Sequence, residues 1–544
     1  MSDLEQARLL VSAAQEVVDA ALKHAATITN GGADIDDHQV HTERVTYLAT
    51  QVRAARELTN TAERLTAAGK ADDLLTQEAL IYAAEAAHTV GATIDAHADD
   101  FGVGGVQAVD GAADVRAAIR SGLAESRIRA LGAARIATGG VNNVELEDEI
   151  ASLTRDLARD FGKNEVVPLA QDIHRQDLLI PEPLIRKFSE QGFFGSSIPE
   201  EYGGTGMGDL PMIIITEELS VASLAGAGSL TTRPEILSKA LLAGGTEEQK
   251  QEWLPKLASG EVIVAVSVTE PDTGSDSGAV QTRAERAEYN GKPGWRINGN
   301  KAWCTFAGRA NVLAMLVRTD PDPSKGNRGV SLFIVPKDTY DGHEFRHEQP
   351  EGGVIEGTAN PTPGYRGMHS FTLAIDNYWV PDENLVGGEA GLNRAFALQM
   401  GGFAAGRLQT GGRAAGVAQA ALEKACQYVV QRKQFGLALS EYQLTQFRIG
   451  EMSARISAAR QLTYAAARDF DSRGMEAPMA KLLACDVAVA VTQAAQQLHG
   501  GWGYSEEDPI SRLVVDALVL PIFEGVKPIL ELKVIGRGLL AAAQ

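Results

Sequence analysis

Residues 266–276 read VSVTEPDTGSD. A β-rich run, Val262–Thr269, stops at Thr269 and gives way to a turn of Glu270, Pro271, Asp272, Thr273, Gly274, Ser275 and Asp276. Successive backbone N–H groups in such a turn can form a nest for an anion, with the Ser275 hydroxyl beside it. Taken alone, the segment is more simply a plain β-turn. It also marks where the chain changes character. From 262 to 390, short runs (Val262–Thr269, Trp295–Ile297, Val312–Val317, Val330–Val335, Phe371–Ile375) alternate with turns such as Asn290-Gly291 and Asn298-Gly299. On both sides the hydrophobic period is helical. The chain therefore divides into an N-terminal helical segment at 1–144, a second at 145–261, a β segment at 262–390 and long helices at 391–544. Breaks at Gly474, Gly500–Gly503 and Pro521 divide the last into helices of bundle length. The expected fold is mainly α with a central β domain. Gly139-Gly140 and Val141-Asn142-Asn143 read as a linker, and the Gly-rich stretch 102–111 as a break.

The 544 residues carry a net charge of −21. An acidic surface argues against nucleic acid as the main partner but leaves room for a local basic pocket. Three scattered cysteines, Cys304, Cys426 and Cys485, make neither a disulfide framework nor a metal-binding set. The N-terminus, MSDLEQARLLVSAAQEVVDA, lacks the basic and apolar regions of a secretory signal. No long uncharged apolar run is present, so a cytoplasmic chain without a membrane span is expected.

Further segments carry possible chemistry. Pro199-Glu200-Glu201-Tyr202-Gly203-Gly204 is a loop with spaced glycines, but it does not lie between a strand and a helix and is no dinucleotide fingerprint. In Trp303-Cys304-Thr305 a Trp could stack on a planar group while the Thr hydroxyl bonds its edge, although a Trp in a β domain is usually core. Arg432-Lys433-Gln434-Phe435-Gly436, at an expected helix end, suits a phosphate or simply the helix dipole. Gln497-Leu498-His499-Gly500-Gly501-Trp502-Gly503-Tyr504 lets a backbone or ligand approach closely, or is a plain turn. In Pro521-Ile522-Phe523-Glu524-Gly525-Val526, a carboxylate among Leu520, Ile522 and Phe523 would be partly desolvated, which suits a base; the alternative is a solvated helix-start Glu.

Taken together and in this order, the segments resemble the acyl-CoA dehydrogenase family over about residues 145–544. The resemblance implies that family's fold: a helical domain, a β-barrel-like domain and a C-terminal four-helix bundle, here behind an extra helical segment. It implies FAD and an acyl-CoA substrate, with electrons passing to an electron-transfer flavoprotein. It implies that Val266, Val268, Thr269 and Ser275 line the FAD and the CoA end of the substrate, and that Trp303 and Thr305 flank the isoalloxazine. It implies that Arg432, Gln434, Phe435, Gln497, Gly500 and Gly501 hold the pyrophosphate and adenine across a subunit interface. Glu524 matches the catalytic base, Gly525 follows it at the substrate, and Arg407 matches an arginine near the active site. Val526 departs from the pattern, since many members carry Thr there.

The N-terminal addition and a polar insertion near Asp341–Pro363, followed by Gly364–Thr372, resemble the branch acting on methylsuccinyl-CoA in the ethylmalonyl-CoA pathway. That substrate bears a free carboxylate and needs a cation. Arg233 is the candidate, with Thr231 or Thr232 assisting; the alternative is an ion pair of Arg233 with Glu235 or Glu217. Another short-chain or dicarboxylyl acyl-CoA (glutaryl-, butyryl- or isobutyryl-type), an oxidase on the same fold, and an inactive helical scaffold are the rival readings. Finally, Val52–Thr59 (VRAARELT) echoes Ile456–Thr463 (ISAARQLT), through shared Ala-rich composition or as a degenerate copy of the C-terminal bundle. A copy could cover the bundle's assembly surface within one chain, so a homodimer is expected.

Overall fold

The computed structural model describes residues 1–544 except 104–108, 110, 147, 472 and 473. Most of the Gly-rich stretch 102–111 thus lies outside the described residues. Along the chain run helices α1 (Asp3–Ile28), α2 (Gln39–Ala67), α3 (Asp73–Ala96), α4 (Ala113–Gly122), α5 (Glu125–Ala137), α6 (Glu149–Phe161), α7 (Val167–Arg175), α8 (Glu182–Glu190), α9 (Asp209–Ala222), α10 (Glu235–Gly244) and α11 (Glu247–Ser259). Eight strands follow: β1 (Val264–Ser267), β2 (Arg283–Tyr289), β3 (Lys292–Thr305), β4 (Val312–Arg318), β5 (Val330–Pro336), β6 (Glu344–Glu348), β7 (Val354–Ala359) and β8 (Ser370–Pro381). The chain ends in α12 (Ala395–Gln431), α13 (Gln443–Arg468), α14 (Glu476–His499), α15 (Pro509–Ala517), a π-helical stretch Leu530–Gly536 and α16 (Arg537–Ala542). In space, Met1–Asp156 and Arg407–Gln544 form one compact unit and Leu157–Gly406 another.

In the first unit, α1 and α3 begin where side chains satisfy their free N–H groups. Ser2 and Glu5 form a capping box on α1, and Asp72 accepts from Leu74 and Leu75 at the start of α3. The sequence echo has a structural counterpart. Arg56 donates to Gln15 at 2.8 Å and Arg460 donates to Gln419 at 2.8 Å, with the partners 41 positions apart in both cases. Thr59 and Thr463 each bond the carbonyl four residues back at 2.8 Å. The helices also start in step, α2 and α13 at Gln39 and Gln443, α3 and α14 at Asp73 and Glu476. The N-terminal helices α2 and α3 pack on α13. The carboxylate of Glu78, fully buried on α3, accepts from Arg135 Nε and Nη2 at 2.9 and 2.7 Å and from the hydroxyls of Ser453 and Ser457 on α13. The Gly139-Gly140 linker is held in place: Gln419 donates to the Gly140 carbonyl at 2.7 Å, and Asn142 and Val144 are buried. Among the described residues, 476–504 alone is long and apolar enough to cross a membrane, and its apolar window is 72% buried. It is a core helix of this unit.

In the second unit, the strands form one sheet in the order β1-β4-β2-β3-β8-β7-β6, with β5 on β4. Strands β1 and β4 pair in parallel and most other pairs are antiparallel. Two apolar clusters enclose the sheet, one containing Leu237, Leu254, Leu257 and Ile334, the other Trp295, Leu313, Phe333 and Leu373. The polar insertion near Asp341–Pro363 holds a β-hairpin. Its strands β6 and β7 extend the sheet past β8, with Phe345 and His347 turned inward and Glu344, Arg346 and Glu348 outward. That charged outer strand discourages pairing with another chain. At its base, the His343 ring lies tilted against that of His369 with centroids 4.4 Å apart, and His369 Nε2 lies 2.9 Å from Asp177 Oδ1. Arg366 Nε sits 3.4 Å from the same oxygen, so the Asp177 carboxylate is already matched by a cation.

Candidate active site

The TEPDTGSD turn is held by a pair of charges 31 residues apart. Glu270, buried, accepts from the amides of Gln281 at 2.7 Å and Thr282 at 2.9 Å, and from Lys301 Nζ at 2.9 Å. Lys301 is fully buried and also donates to the Val268 carbonyl at 3.0 Å. Burial presses the Lys301 ammonium downward in pKa, while burial of the Glu270 carboxylate is outweighed by the field of Lys301 and by the hydrogen bonds it accepts. Val266, Val268 and Thr269 are half-buried beside this pair, and Ser275 is exposed at the tip of the turn. The Ala302 amide bonds the Thr269 carbonyl at 2.8 Å and so carries the turn to the end of β3.

There β3 gains one residue against β8: Lys301 pairs with Leu373 but Cys304 with Phe371. Such a bulge re-aims the side chains around it. Trp303 adopts φ +58° and is 59% exposed, whereas Cys304 points into the core. Thr305 Oγ1 lies 3.0 Å from Ser370 Oγ, and the Phe306 amide bonds the His369 carbonyl at 2.8 Å. The result is an outward indole face next to a fixed hydroxyl. Thr231 and Thr232 are buried, donating to the carbonyls of Phe193 at 3.3 Å and Ser229 at 2.9 Å. Arg233 Nε donates to the Ser229 carbonyl at 3.1 Å, which fixes its guanidinium.

In the first unit, α12 ends at Gln431, and Lys433-Gln434 pair with Leu437-Ala438 in a small hairpin. Phe435 and Gly436 turn it with φ +51° and +87°, values a two-residue hairpin requires. Phe435 is left 97% exposed, and Arg432 and Gln434 are exposed beside it. Tyr428, on α12, stacks on His499 with centroids 4.2 Å apart and donates to its carbonyl at 3.1 Å. This contact brings the end of α14 to the end of α12. Gln497, Gly500 and Gly501 are exposed, and nothing lies within 4 Å of where a Cβ would stand on either glycine. Neither Tyr428 nor His499 was singled out from the sequence.

Glu524, half-buried, stands in a left-handed conformation at φ +54°, followed by Gly525 at +97°. Lys527 N closes this loop on the Pro521 carbonyl at 3.0 Å. The expected apolar surroundings are incomplete, because Ile522 is 61% exposed. Cations are present instead. Arg407 is depressed in pKa by burial and held up by Glu524, and Lys481 likewise, with Cys485 and Glu524 opposing its burial. The Arg413 guanidinium lies 4.8 Å from the centre of the Phe523 ring. Arg407 Nε is buried without a hydrogen-bond partner among the described residues. The Glu524 amide donates no hydrogen bond among the described residues, which leaves a donor beside the carboxylate.

Three family models cover this architecture: the acyl-CoA dehydrogenase N-terminal domain at residues 148–261, the middle domain at 265–377 and the C-terminal domain at 393–540. The chain belongs to the acyl-CoA dehydrogenase family. The (2S)-methylsuccinyl-CoA dehydrogenase of Cereibacter sphaeroides is 38% identical over 97% of this chain and 96% of its own. The structure of butyryl-CoA dehydrogenase from Megasphaera elsdenii matches at 31% identity and TM-score 0.66, covering 73% of this chain and 99% of that one. A glutaryl-CoA dehydrogenase from Mycobacterium smegmatis in complex with FADH2 matches at 25% identity and TM-score 0.62, covering 72% of this chain and 95% of that one. This acyl-CoA dehydrogenase is an FAD-dependent oxidoreductase acting on CH–CH bonds. Each unit by itself has residues that fit part of the cofactor: in the second, the exposed Trp303 face and the Thr305 hydroxyl suit a planar ring, and in the first, the open backbone at Gly500 and Gly501 suits a pyrophosphate.

Proposed function

We propose that the enzyme oxidises methylsuccinyl-CoA to mesaconyl-CoA and passes the electrons to an electron-transfer flavoprotein. One observation carries this reading. Similarity to the methylsuccinyl-CoA enzyme runs over 97% of the chain, so it includes the N-terminal segment that the three family models leave unmatched. In the proposed reaction Glu524 removes the α-proton. The thioester carbonyl needs hydrogen bonds to stabilise negative charge as that proton leaves, and the unengaged Glu524 amide supplies one. When bound, FAD supplies the hydride acceptor. Trp303 and Thr305 orient its ring, Val266, Val268, Thr269 and Ser275 line it and the CoA end, and Gly525 and Arg407 complete the surroundings of the base. Arg432, Gln434, Phe435, Gln497, Gly500 and Gly501 take the pyrophosphate and adenine.

Arg233, fixed by Ser229 and Thr232, is proposed to receive the substrate carboxylate, with Thr231 and Thr232 alongside. Arg233→Met is expected to lower kcat/KM for methylsuccinyl-CoA by about 100-fold, as loss of a charge-assisted hydrogen bond does, while changing butyryl-CoA turnover far less. Steady-state kinetics on the two thioesters checks this; equal losses on both contradict it. The N-terminal helices pack on α13 within one chain, which supports a homodimer as the assembly. Multi-angle light scattering is expected to give the mass of two chains, and a mass of four chains refutes it.

A further inference from the structure

Residues 1–144 lie outside the three family models, yet one of their side chains reaches the support of the Glu524 loop. The loop is gripped from α14 at two points. Lys481 Nζ, fully buried, donates to the Gly525 carbonyl at 2.7 Å, one residue after Glu524. Asp486 Oδ2 accepts from Lys527 Nζ at 2.6 Å, three residues after Glu524. The same Asp486 oxygen accepts from the hydroxyl of Tyr47 on α2 at 2.8 Å. Lys527 Nζ also lies 4.8 Å from the centre of the Tyr47 ring, and 3.7 Å from the buried Glu531. Both the carboxylate and the ammonium that hold the loop therefore touch one residue of the N-terminal addition.

We propose that the N-terminal addition positions the catalytic base, with Tyr47 acting through Asp486 and Lys527 to fix the Glu524–Lys527 loop. The physical reason is the loop's own conformation. Glu524 is a non-glycine residue in the left-handed region, a conformation that surrounding structure must impose. Phe523 and Lys527 N hold the N-terminal side of the turn, while Lys481 and Asp486 hold the carbonyl and the helix start that follow. Without the Tyr47 hydroxyl, Asp486 loses one of the two donors it has among the described residues, and the Lys527 ammonium is left on a carboxylate that is less firmly held. Burial opposes the Lys527 charge, but the Asp486 hydrogen bond and charge outweigh it and keep its pKa above the ordinary value. Tyr47, Asp486 and Lys527 are positioning residues.

The proposal rests on Glu524 being the base, and the experiment separates the two ideas. Tyr47→Phe and Asp486→Asn are compared with Glu524→Gln and with Asp36→Ala. Asp36 bonds Lys533 at the surface and joins the same N-terminal addition to the last helical stretch away from the loop. Rates are divided by bound-flavin content, and substrate deuterated at Cα reports on proton removal. For Tyr47→Phe and Asp486→Asn the expected result is a kcat lowered on the order of 10- to 100-fold, an unchanged KM and a larger α-deuterium isotope effect. Asp36→Ala is expected to match the wild type. Unchanged kcat in Tyr47→Phe and Asp486→Asn, with Glu524→Gln inactive, overturns the positioning role and leaves the base in place. A loss that follows flavin content, with kcat per flavin and the isotope effect unchanged, shows a structural contact only and also overturns it. An active Glu524→Gln removes the premise.

Discussion

Glu524→Gln is expected to lower kcat by about 10,000-fold, the upper end of what a positioned general base contributes, while leaving bound flavin in place. The α-proton of an acyl thioester is a weak acid, and a carboxamide of the same shape cannot accept it. The loop should survive the change, because its anchors are the Gly525 carbonyl and the Lys527 ammonium rather than the Glu524 carboxylate. Arg407 and Lys481 lose a compensating negative charge, so a small fall in stability is expected alongside. The check is anaerobic stopped-flow absorbance: the variant keeps its flavin spectrum when substrate is added. Flavin reduction at more than one-tenth of the wild-type rate would place the base elsewhere.

Glu78→Ala carries the largest expected effect on stability. The Glu78 carboxylate has no exposure and accepts from two of the three guanidinium nitrogens of Arg135 and from two serine hydroxyls. Removing it strands a guanidinium in the interior, which costs about 3–5 kcal/mol. For a unit of this size that corresponds to a fall in Tm of roughly 5–10 °C, measured by calorimetry. The double variant Glu78→Leu with Arg135→Met should recover much of the loss, because an apolar pair of similar volume needs no compensating charge. If the double variant is no more stable than Glu78→Ala, the loss comes from packing rather than from the unpaired charge.

The sequence shows some of this architecture and hides the rest for physical reasons. The long helices were legible because apolar residues recur on one face, as Val52, Ala55 and Leu58 do on α2. Strand β2 was not, because Arg283, Glu285, Arg286 and Glu288 mask a segment whose only buried residue is Ala284. The β6–β7 hairpin was hidden by charge at its exposed positions, although Phe345, His347 and Ile355 keep the period of two and Gly352 turns the chain at φ +87°. At the site, the motifs point to residues but not to their supports. Glu270 and Lys301 meet only because β3 runs back beside the turn, and the bulge that exposes Trp303 depends on register with β8. The cations near Glu524 come from α12 and α14, far away in sequence, so a reading of neighbours alone gave an apolar pocket.

The most direct test is anaerobic titration of the oxidised enzyme with a panel of acyl-CoA thioesters, followed by flavin absorbance. Methylsuccinyl-CoA is expected to bleach the flavin fully at stoichiometric concentration and to yield mesaconyl-CoA, with butyryl- and glutaryl-CoA much slower. Bleaching by butyryl- or glutaryl-CoA with no response to methylsuccinyl-CoA would contradict the substrate assignment.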